Sequence, residues 1–279
     1  MLANQSSTTM YPLSIITINL NNRAGLEKTM ESVVNQTFRD FEYIVIDGAS
    51  TDGSVDVIQR YADNIHYWVS EPDTGIYSAM NKGIRVAQGE YLLFLNSGDW
   101  LEGLDIIDQS FSDCISVGSD SDIIYFNIKT HSLTNEIVYK EYPHKLTFNF
   151  FYNRNLPHPG TFIKKILFEK NGYYDENLKI CSDWKFFILN ICLYQASYRH
   201  FDLIMSNFLL GGVSGSAQSK EIIKKEKEEV YVKYFYLFYD NVIRLNKLEK
   251  LIFFYENSKW FLFCRLMNKL FKNKHIKVF

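Results

Sequence analysis

The sequence predicts an α/β fold, a mainly parallel sheet flanked by helices, and three observations carry that prediction. The first is the stretch Tyr91–Asp99. Five apolar residues, Tyr91 to Leu95, run without a break and then turn through Asn96, Ser97 and Gly98 onto a lone carboxylate, Asp99. A short continuous apolar run bounded by turn residues reads as a strand buried on both faces. The second is that this design recurs upstream. Leu13 to Ile18 ends in Asn19, Asn21 and Asn22, and Phe41 to Ile46 ends in Asp47-Gly48-Ala49-Ser50-Thr51-Asp52-Gly53. His66 to Val69 runs into Ser70-Glu71-Pro72-Asp73-Thr74-Gly75. The third is the helical spacing between these runs. Leu26, Met30, Val33 and Val34 share one face of the first intervening segment. Val55, Val57, Ile58 and Tyr61 support the second, and Ile76, Met80, Ile84 and Val86 the third. Strand and helix signals alternating at this spacing imply right-handed βαβ units.

Ligands of such sheets bind just beyond the carboxyl ends of the strands. The acidic and amide-rich turns after the predicted strands converge there, and Asp99 is placed to meet a hard cation and a phosphorylated substrate. Taken singly, each of these side chains reads equally well as a helix cap, because Ser, Thr, Asp and Asn favour that position. Asp52, just before the helix expected near Gly53, is assigned to capping first.

The chain of 279 residues, 47% of them apolar, is long enough for one large α/β domain with an appendage. A net charge of −2 argues against nucleic acid as a partner held by bulk phosphate attraction. Cys114, Cys181, Cys192 and Cys264 show no metal-like pairing and read as reduced thiols of a cytoplasmic protein. Residues 1–11 are polar and read as a disordered tail, without the features of a signal peptide. No uninterrupted apolar segment is long enough to span a bilayer.

Several segments together are recognisable. Ser14-Ile15-Ile16-Thr17, Asp47 through Gly53, Glu71-Pro72-Asp73-Thr74-Gly75-Ile76-Tyr77, Ala79-Met80-Asn81-Lys82-Gly83 and Gly89-Glu90-Tyr91 through Asp99 stand in the order found in family 2 glycosyltransferases. The sequence resembles that family, and within it the bacterial subgroup that builds O-antigen and capsular polysaccharide. The resemblance is dense over 13–101. It thins through His158, Gly172-Tyr173-Tyr174-Asp175-Glu176, Ser182-Asp183-Trp184 and Gly211-Gly212-Val213-Ser214, and fades beyond about 220. It implies a GT-A fold, Rossmann-like, over 12–215; the residues beyond, 216–279, read as a helical C-terminal extension. It also implies inverting transfer of a sugar from a nucleoside diphosphate donor, here a UDP-sugar, to a saccharide or lipid-linked saccharide.

That chemistry needs a base for the acceptor proton, a cation for the leaving diphosphate and a pocket for the nucleoside. Asp99 resembles the last carboxylate of the family's Asp-x-Asp-type motif and is the expected ligand of Mn²⁺ or Mg²⁺, which need only one or two protein carboxylates beside phosphate oxygens. The loop reads Asn96-Ser97-Gly98-Asp99, so two positions that are often acidic in relatives are an amide and a glycine, and weak or substrate-dependent metal binding is expected. Thr17 and Asp47 match positions that meet the base, where a carboxylate can accept the uracil N3–H. Asn19, Ser50, Asp73, Gly75, Asn81, Asn96, Ser97 and Gly98 complete the expected donor site. Gly75 answers a need for close backbone approach or an unusual φ. Leu20 stands where relatives often carry a tyrosine, which weakens stacking on the base.

The resemblance makes Asp183 the general base. Ser182 replaces an acidic residue usual in the family, so one local charge is missing, and Trp184, Phe186 and Phe187 could supply the burial that raises a catalytic carboxyl. The alternative is an N-cap for the apolar helix reaching Leu193. His158, followed by Pro159 where relatives often have Gln, is a site residue near the acceptor or a structural histidine. The Gly211–Ser214 turn reads either as a loop closing over the substrates or as a plain connection. A nucleotidyltransferase is disfavoured, because Asn21-Asn22-Arg23-Ala24-Gly25 is not a glycine-rich phosphate loop. A non-catalytic protein that binds nucleotide-sugar or glycan, or an assembly subunit, is the rival reading.

Lys220 to Asp240 reads as one charged helix and Leu245 to Phe279 as another. The latter carries Arg265, Lys269, Lys272, Lys274 and Lys277 among aromatics and leucines, with no acid after Trp260. Such a helix suits the headgroup region of an anionic membrane at the inner face. It equally suits packing on the catalytic domain or on a second copy of the chain in a homodimer.

Overall fold

The computed structural model describes residues 11–116, 120–132, 134, 136–211, 217–258 and 261. In chain order these form β1 (Tyr11–Asn19), α1 (Arg23–Val34), β2 (Phe41–Asp47), α2 (Ser54–Arg60), β3 (Tyr67–Ser70), α3 (Ile76–Val86) and β4 (Gly89–Phe94). They continue with β5 (Trp100–Leu101), α4 (Ile106–Ser116), β6 (Ile123–His131), β7 (Ile137–Lys140), α5 (Phe148–Asn153), β8 (Thr161–Lys164) and α6 (Lys165–Asn171). Then come α7 (Ser182–Cys192), β9 (Tyr198–Leu209), α8 (Ala217–Tyr234) and α9 (Tyr236–Glu256).

The alternating half of the sequence folds as its patterns dictate. β1, β2 and β3 pair in parallel, as do β1 and β4, giving the order β3-β2-β1-β4. β1, β2 and β4 are buried on both faces because helices cover both, while β3 forms the more open edge. On one face Leu13, Ile15, Tyr43, Val45 and Leu93 pack with Leu26, Met30 and Val33 of α1 and Val57 and Ile58 of α2. On the other, Gly83 of α3 lies directly against Ile16. Fully burying each Leu, Ile or Val contributes roughly 1.5–3 kcal/mol, so this layer fixes the register on which the carboxyl-edge residues depend. α1 starts where the Asn22 side chain accepts the Gly25 N–H at 3.2 Å.

Beyond Asp99 the sheet departs from the parallel pattern. β8 pairs antiparallel with β4, β6 antiparallel with β8, and β7 antiparallel with β6. β9 runs parallel to β6, and the two-residue β5 closes the path antiparallel to β9. The parallel arrangement is thus confined mainly to the first hundred residues, and the sheet as a whole is mixed.

Two compact units are distinguished, Met1–Lys227 and Glu228–Phe279. Tyr11, placed in the tail by sequence, already pairs with Gly89, and residues 1–10 lie outside the described residues. The expected helix over 220–240 breaks at Phe235, and α9 runs from Tyr236 across the expected gap at 241–244. The break has no glycine or proline to announce it. Phe235 still donates to Tyr231 O at 2.8 Å and accepts from Phe238 N at 3.0 Å, so the backbone bonds pass through it. Gly212, Val213 and Ser214 and the basic residues Arg265 to Lys277 fall outside the described residues, as does Cys264. Cys114, Cys181 and Cys192 are free thiols. Among the described residues no helix is long and apolar enough to cross a membrane.

Candidate functional site

The parallel register sets Asn19 beside Asp47 and Asp47 beside Ser70 at the carboxyl ends of β1, β2 and β3. Asp47 is fully buried. Its Oδ1 accepts from Asn19 Nδ2 at 2.7 Å and Ser50 Oγ at 2.6 Å, and its Oδ2 from Ser50 N at 2.9 Å and Ser70 Oγ at 2.6 Å. These four donors match the four lone-pair directions of a carboxylate. Burial alone would raise this carboxyl, but the hydrogen bonds from Ser50, Ser70 and Asn19 outweigh it and hold Asp47 below the ordinary carboxylate range. Thr17, two residues behind, donates to Leu95 O at 2.8 Å and lies 3.1 Å from Tyr43 Oη, inside the sheet.

At the rim, Asp52 stands one residue before Gly53, which holds the N-cap position of α2, and its carboxylate takes the free N–H that Gly53 has no side chain to cap. Its Oδ1 accepts from Ser54 N and Oγ at 3.0 and 2.6 Å, and its Oδ2 accepts the Arg23 N–H at 2.8 Å, tying the starts of α2 and α1 together. Asp73 turns back to accept the Gly75 N–H at 3.0 Å. Gly75 has φ of +142°, a conformation open to glycine and strained for other residues. Asp73 and Leu20 close over Gly48, where a Cβ would lie 2.8 Å from Asp73 Oδ2 and 3.2 Å from Leu20 Cδ1. Leu20 itself is 58% exposed, an apolar surface at the mouth of this edge.

The Asn96–Asp99 loop leaves β4 next to the end of β1, with Ser97 N donating to Ile18 O at 3.0 Å. α1 holds it from below. Asn22 Nδ2 donates to Ser97 O at 3.0 Å, while Thr29 Oγ1 accepts from Gly98 N at 3.0 Å and donates to Asp99 O at 2.6 Å. Asp99 is 4% exposed. Burial raises its carboxyl to about 8, opposed by the backbone N–H groups of Leu209 and Asn96. Two buried acceptors at this edge, Asn19 Oδ1 and Asn96 Oδ1, have no hydrogen-bond partner among the described residues. Buried polar atoms in native proteins are rarely left so. A buried carboxyl lacking a cation and an unpaired amide oxygen in one loop fit a hard divalent cation that draws the rest of its shell from phosphate and water.

Asp183 lies in the first turn of α7. Its Oδ1 is 2.8 Å from Tyr77 Oη and its Oδ2 accepts from Asn155 Nδ2 at 2.7 Å. Tyr77 Oη is also 2.5 Å from Ile180 O. Burial, then the neighbouring Asp183, raises Tyr77 well above its ordinary value, so it keeps its proton. Tyr174 is raised in the same way, and its Oη lies 2.9 Å from His158 Nε2. Burial lowers the half-buried His158, with Asp183 opposing, and its ring stacks on Phe94 with centroids 5.1 Å apart.

Two supports hold the start of α7, one from outside the expected motifs and one from within them. Glu226 of α8 accepts the N–H groups of Lys179, Ile180 and Cys181 at 2.6, 3.1 and 2.9 Å, just ahead of α7. Ser182, where an acid was expected, instead takes the Asp175 N–H on its Oγ at 2.5 Å. Asn81, expected near the nucleotide, is buried as a strut. It donates to Tyr174 O at 2.9 Å and to Glu176 Oε1 at 2.8 Å, and accepts from Tyr174 N at 3.1 Å.

The first turn of α3 therefore joins two groups, with Asp73 and Gly75 on the β2 edge and Tyr77 on Asp183. Phe94, two residues before Asn96, joins the second to the Asp99 loop through His158. Sequence reasoning missed Thr29, Tyr77, Asn155, Tyr174 and Glu226. Tyr77 and Tyr174 stood inside recognised motifs, and nothing in local pattern marked the others. A cleft of about 240 Å³ lined by Phe41, Ile65 and His66 opens at the amino ends of the strands, away from these groups.

The sequence model of the family described as glycosyl transferase family 2 matches residues 14–107. An uncharacterized glycosyltransferase of Mycobacterium tuberculosis is 34% identical over 182 residues, 65% of this chain and 69% of that protein. A PGL/p-HBAD biosynthesis glycosyltransferase of Mycobacterium bovis is 29% identical over 216 residues, covering 76% of this chain and 82% of that protein. Among solved structures, TarS of S. aureus, residues 1–349 in complex with UDP-GlcNAc, superposes with a TM-score of 0.59 at 18% identity. That match covers 75% of this chain and 64% of the TarS chain, less than two thirds of it, and shows a shared GT-A fold.

Proposed function

The chain belongs to glycosyl transferase family 2 and is a glycosyltransferase enzyme, and from that premise we propose that it transfers a sugar from a UDP-sugar, with inversion, to a saccharide or lipid-linked saccharide. The product class we assign is a surface polysaccharide such as O-antigen or capsule. The relative named for PGL/p-HBAD biosynthesis and the neighbour solved with UDP-GlcNAc support this reading.

The observation that carries it is the setting of Asp183, held between Tyr77 and Asn155 and tied through α3 to the nucleoside edge. In the proposed step, Asp183 takes the proton of the acceptor hydroxyl as that oxygen attacks the anomeric carbon. The bond to the diphosphate breaks on the opposite face, and its electron pair leaves with the diphosphate. Tyr77 suits both protonation states of the base. Before transfer its hydroxyl can donate to the carboxylate; afterwards it donates to Ile180 O and accepts from the protonated Asp183. His158 and Tyr174 line the same group and would meet the acceptor.

Asn19 Oδ1 and the apolar Leu20 would receive the nucleoside. Asp47 would accept the uracil N3–H where a serine donor gives way, with Thr17, Ser50 and Asn81 holding the frame behind. Asp73 and Gly75 would border the ribose, and Ser97 and Gly98 would carry the backbone toward the diphosphate. Asp99 and Asn96 are the residues that would hold Mn²⁺ or Mg²⁺, whose charge offsets that building on the leaving diphosphate. We assign 12–215 to the GT-A domain and 216–279 to the helical extension, whose basic segment over 245–279 would rest on an anionic membrane surface.

Calorimetric titration with UDP and GDP, each with and without Mn²⁺, tests this. UDP should bind in preference to GDP, more tightly with Mn²⁺, and D99N should lose the metal effect. Binding of GDP alone would overturn the donor assignment, and binding of neither nucleotide would overturn the catalytic reading.

A further inference from the structure

A second set of ligating side chains converges among the described residues: His144, His200 and Asp202, with one candidate ligand atom from each lying within 4.8 Å of the others. The fold builds this group in two steps. The β6–β9 register jumps from Phe126↔Phe201 to Asn127↔Ile204, so Asp202 and Leu203 bulge out of the ladder beside His200. Bulges of this type re-aim side chains. His144 then arrives from the segment between β7 and α5, its ring 4.7 Å from that of His200 in an edge-on contact.

The protonation of His200 follows from hydrogen-bond chemistry. Its Nε2 lies 2.9 Å from Asn127 Oδ1, which also accepts the Tyr142 N–H at 3.0 Å. An amide oxygen accepts and cannot donate, so Nε2 carries the proton and Nδ1 presents its lone pair. Burial lowers the affinity of this ring for a second proton, opposed by Asp202. That lone pair points at His144 Nδ1, 3.3 Å away, and Asp202 Oδ1 stands 3.7 Å from the same His200 nitrogen. Tetrahedral zinc with bonds of about 2.0–2.1 Å has ligand-to-ligand edges of about 3.3–3.4 Å. The Asn127 bond has the form of the outer partner that usually orients a ligating histidine.

We propose that His144, His200 and Asp202 form a Zn²⁺-class metal site, separate from the cation expected at Asp99, that clamps the segment before α5 onto the β9 bulge. Two imidazoles and a carboxylate suit zinc, with water in the fourth position. His200 stands seven residues before Asn207, which pairs with Trp100 next to Asp99, and at the rise of a strand that is roughly 20 Å. The clamped segment leads through α5 to Asn155, the donor on Asp183.

The test uses the untagged full chain, stripped of metal with a chelator, titrated with Zn²⁺ by calorimetry and with Co²⁺ by visible absorption. One saturable equivalent and the strong visible bands of tetrahedral Co²⁺ are expected. Asn127→Ala should weaken binding 10–100-fold, H144A and D202N at least tenfold, and D99N should bind as the parent does. His144 and Asp202 have exposed side chains, so these two variants decide the matter even if Asn127→Ala does not fold. Absence of saturable binding, or parental affinity in both H144A and D202N, would overturn the site.

Discussion

Replacing Asp183 with Asn separates its chemistry from its structural role, because the geometry accommodates the amide. In D183N the amide oxygen can accept from Asn155 Nδ2, as Asp183 Oδ2 does at 2.7 Å. The amide NH₂ then faces Tyr77 Oη, which can accept from it while donating to Ile180 O at 2.5 Å. Every hydrogen bond keeps a partner, so stability should change by less than about 1 kcal/mol. Alanine would instead take the acceptor from Asn155 Nδ2, at about 1–3 kcal/mol for a buried donor left unpaired, while Tyr77 would keep Ile180 O. What D183N loses is the basic oxygen. General base catalysis is worth roughly 10²–10⁴ in rate, or about 2.7–5.5 kcal/mol of barrier. The assay is UDP release from a panel of UDP-sugars, run beside UDP calorimetry and urea denaturation. Turnover should fall by at least 100-fold while UDP affinity and denaturation midpoint stay near the parent's. Turnover within threefold of the parent in a folded D183N would refute the assignment of the base.

Asp99 gives a prediction with a definite sign. Burial raises its folded value to about 8 from an ordinary 3.8, so between these limits the folded state holds a proton that the unfolded state has released. In metal-free protein the contribution of Asp99 is full below about pH 4 and is lost as pH rises toward 8, on the order of a few kcal/mol. D99N should flatten this slope in denaturation curves taken at pH 5 and pH 8. Because the cation must displace that proton, Mn²⁺ affinity should rise about tenfold per pH unit up to about 8, and a pH-independent affinity would contradict the ligand role. Glu226→Ala removes the acceptor of three N–H groups. It should cost about 2–4 kcal/mol, lower the Tm by roughly 5–15 °C, and reduce kcat more than UDP affinity, with Glu226→Gln restoring part of each. An unchanged Tm would show that the carboxylate is not what fixes the start of α7.

The sequence made the first hundred residues legible because there local pattern and tertiary role agree. Phe41–Ile46 is buried along its whole length because helices cover both faces of β2, its one polar side chain, Glu42, being taken up by Ser14 Oγ and Gln88 N, and α3 begins and ends where its apolar spacing does. The second half of the sheet was opaque for a different reason. β8 is four residues long, β5 is two, and their pairing is set by neighbours distant in sequence. Asn155 and Glu226 reach the site from 28 and more than 40 residues away. Contacts of that range leave no periodicity to read. That Asp52 serves the start of α2 was readable from its position, though Gly53 takes the N-cap itself. The role of Thr29 was not, since a threonine in mid-helix looks the same whether or not a loop rests on it.

Hydrogen-bond accounting divides the residues singled out from sequence into two physical kinds. Asp47, Thr17 and Asn81 are buried with their polar atoms already partnered inside the protein, so their first effect is to fix where β1, β2 and α3 end. Asn19 Oδ1, Asn96 Oδ1 and the Asp99 carboxyl are buried too, yet the fold gives the first two no partner among the described residues and the third no compensating cation. Leaving such groups incomplete costs roughly 1–3 kcal/mol for each acceptor, and a sequence selected for stability alone would fill them with apolar side chains. That they persist side by side at the carboxyl edge of a parallel sheet argues that a ligand completes them. A uridine nucleotide brings the donors, and its metal brings the charge. The stabilisation seen on adding UDP and Mn²⁺ should therefore exceed that from either alone, because each supplies a complement the other lacks. If the two shifts in Tm were simply additive, the oxygens of Asn19 and Asn96 and the Asp99 carboxyl would not belong to one site.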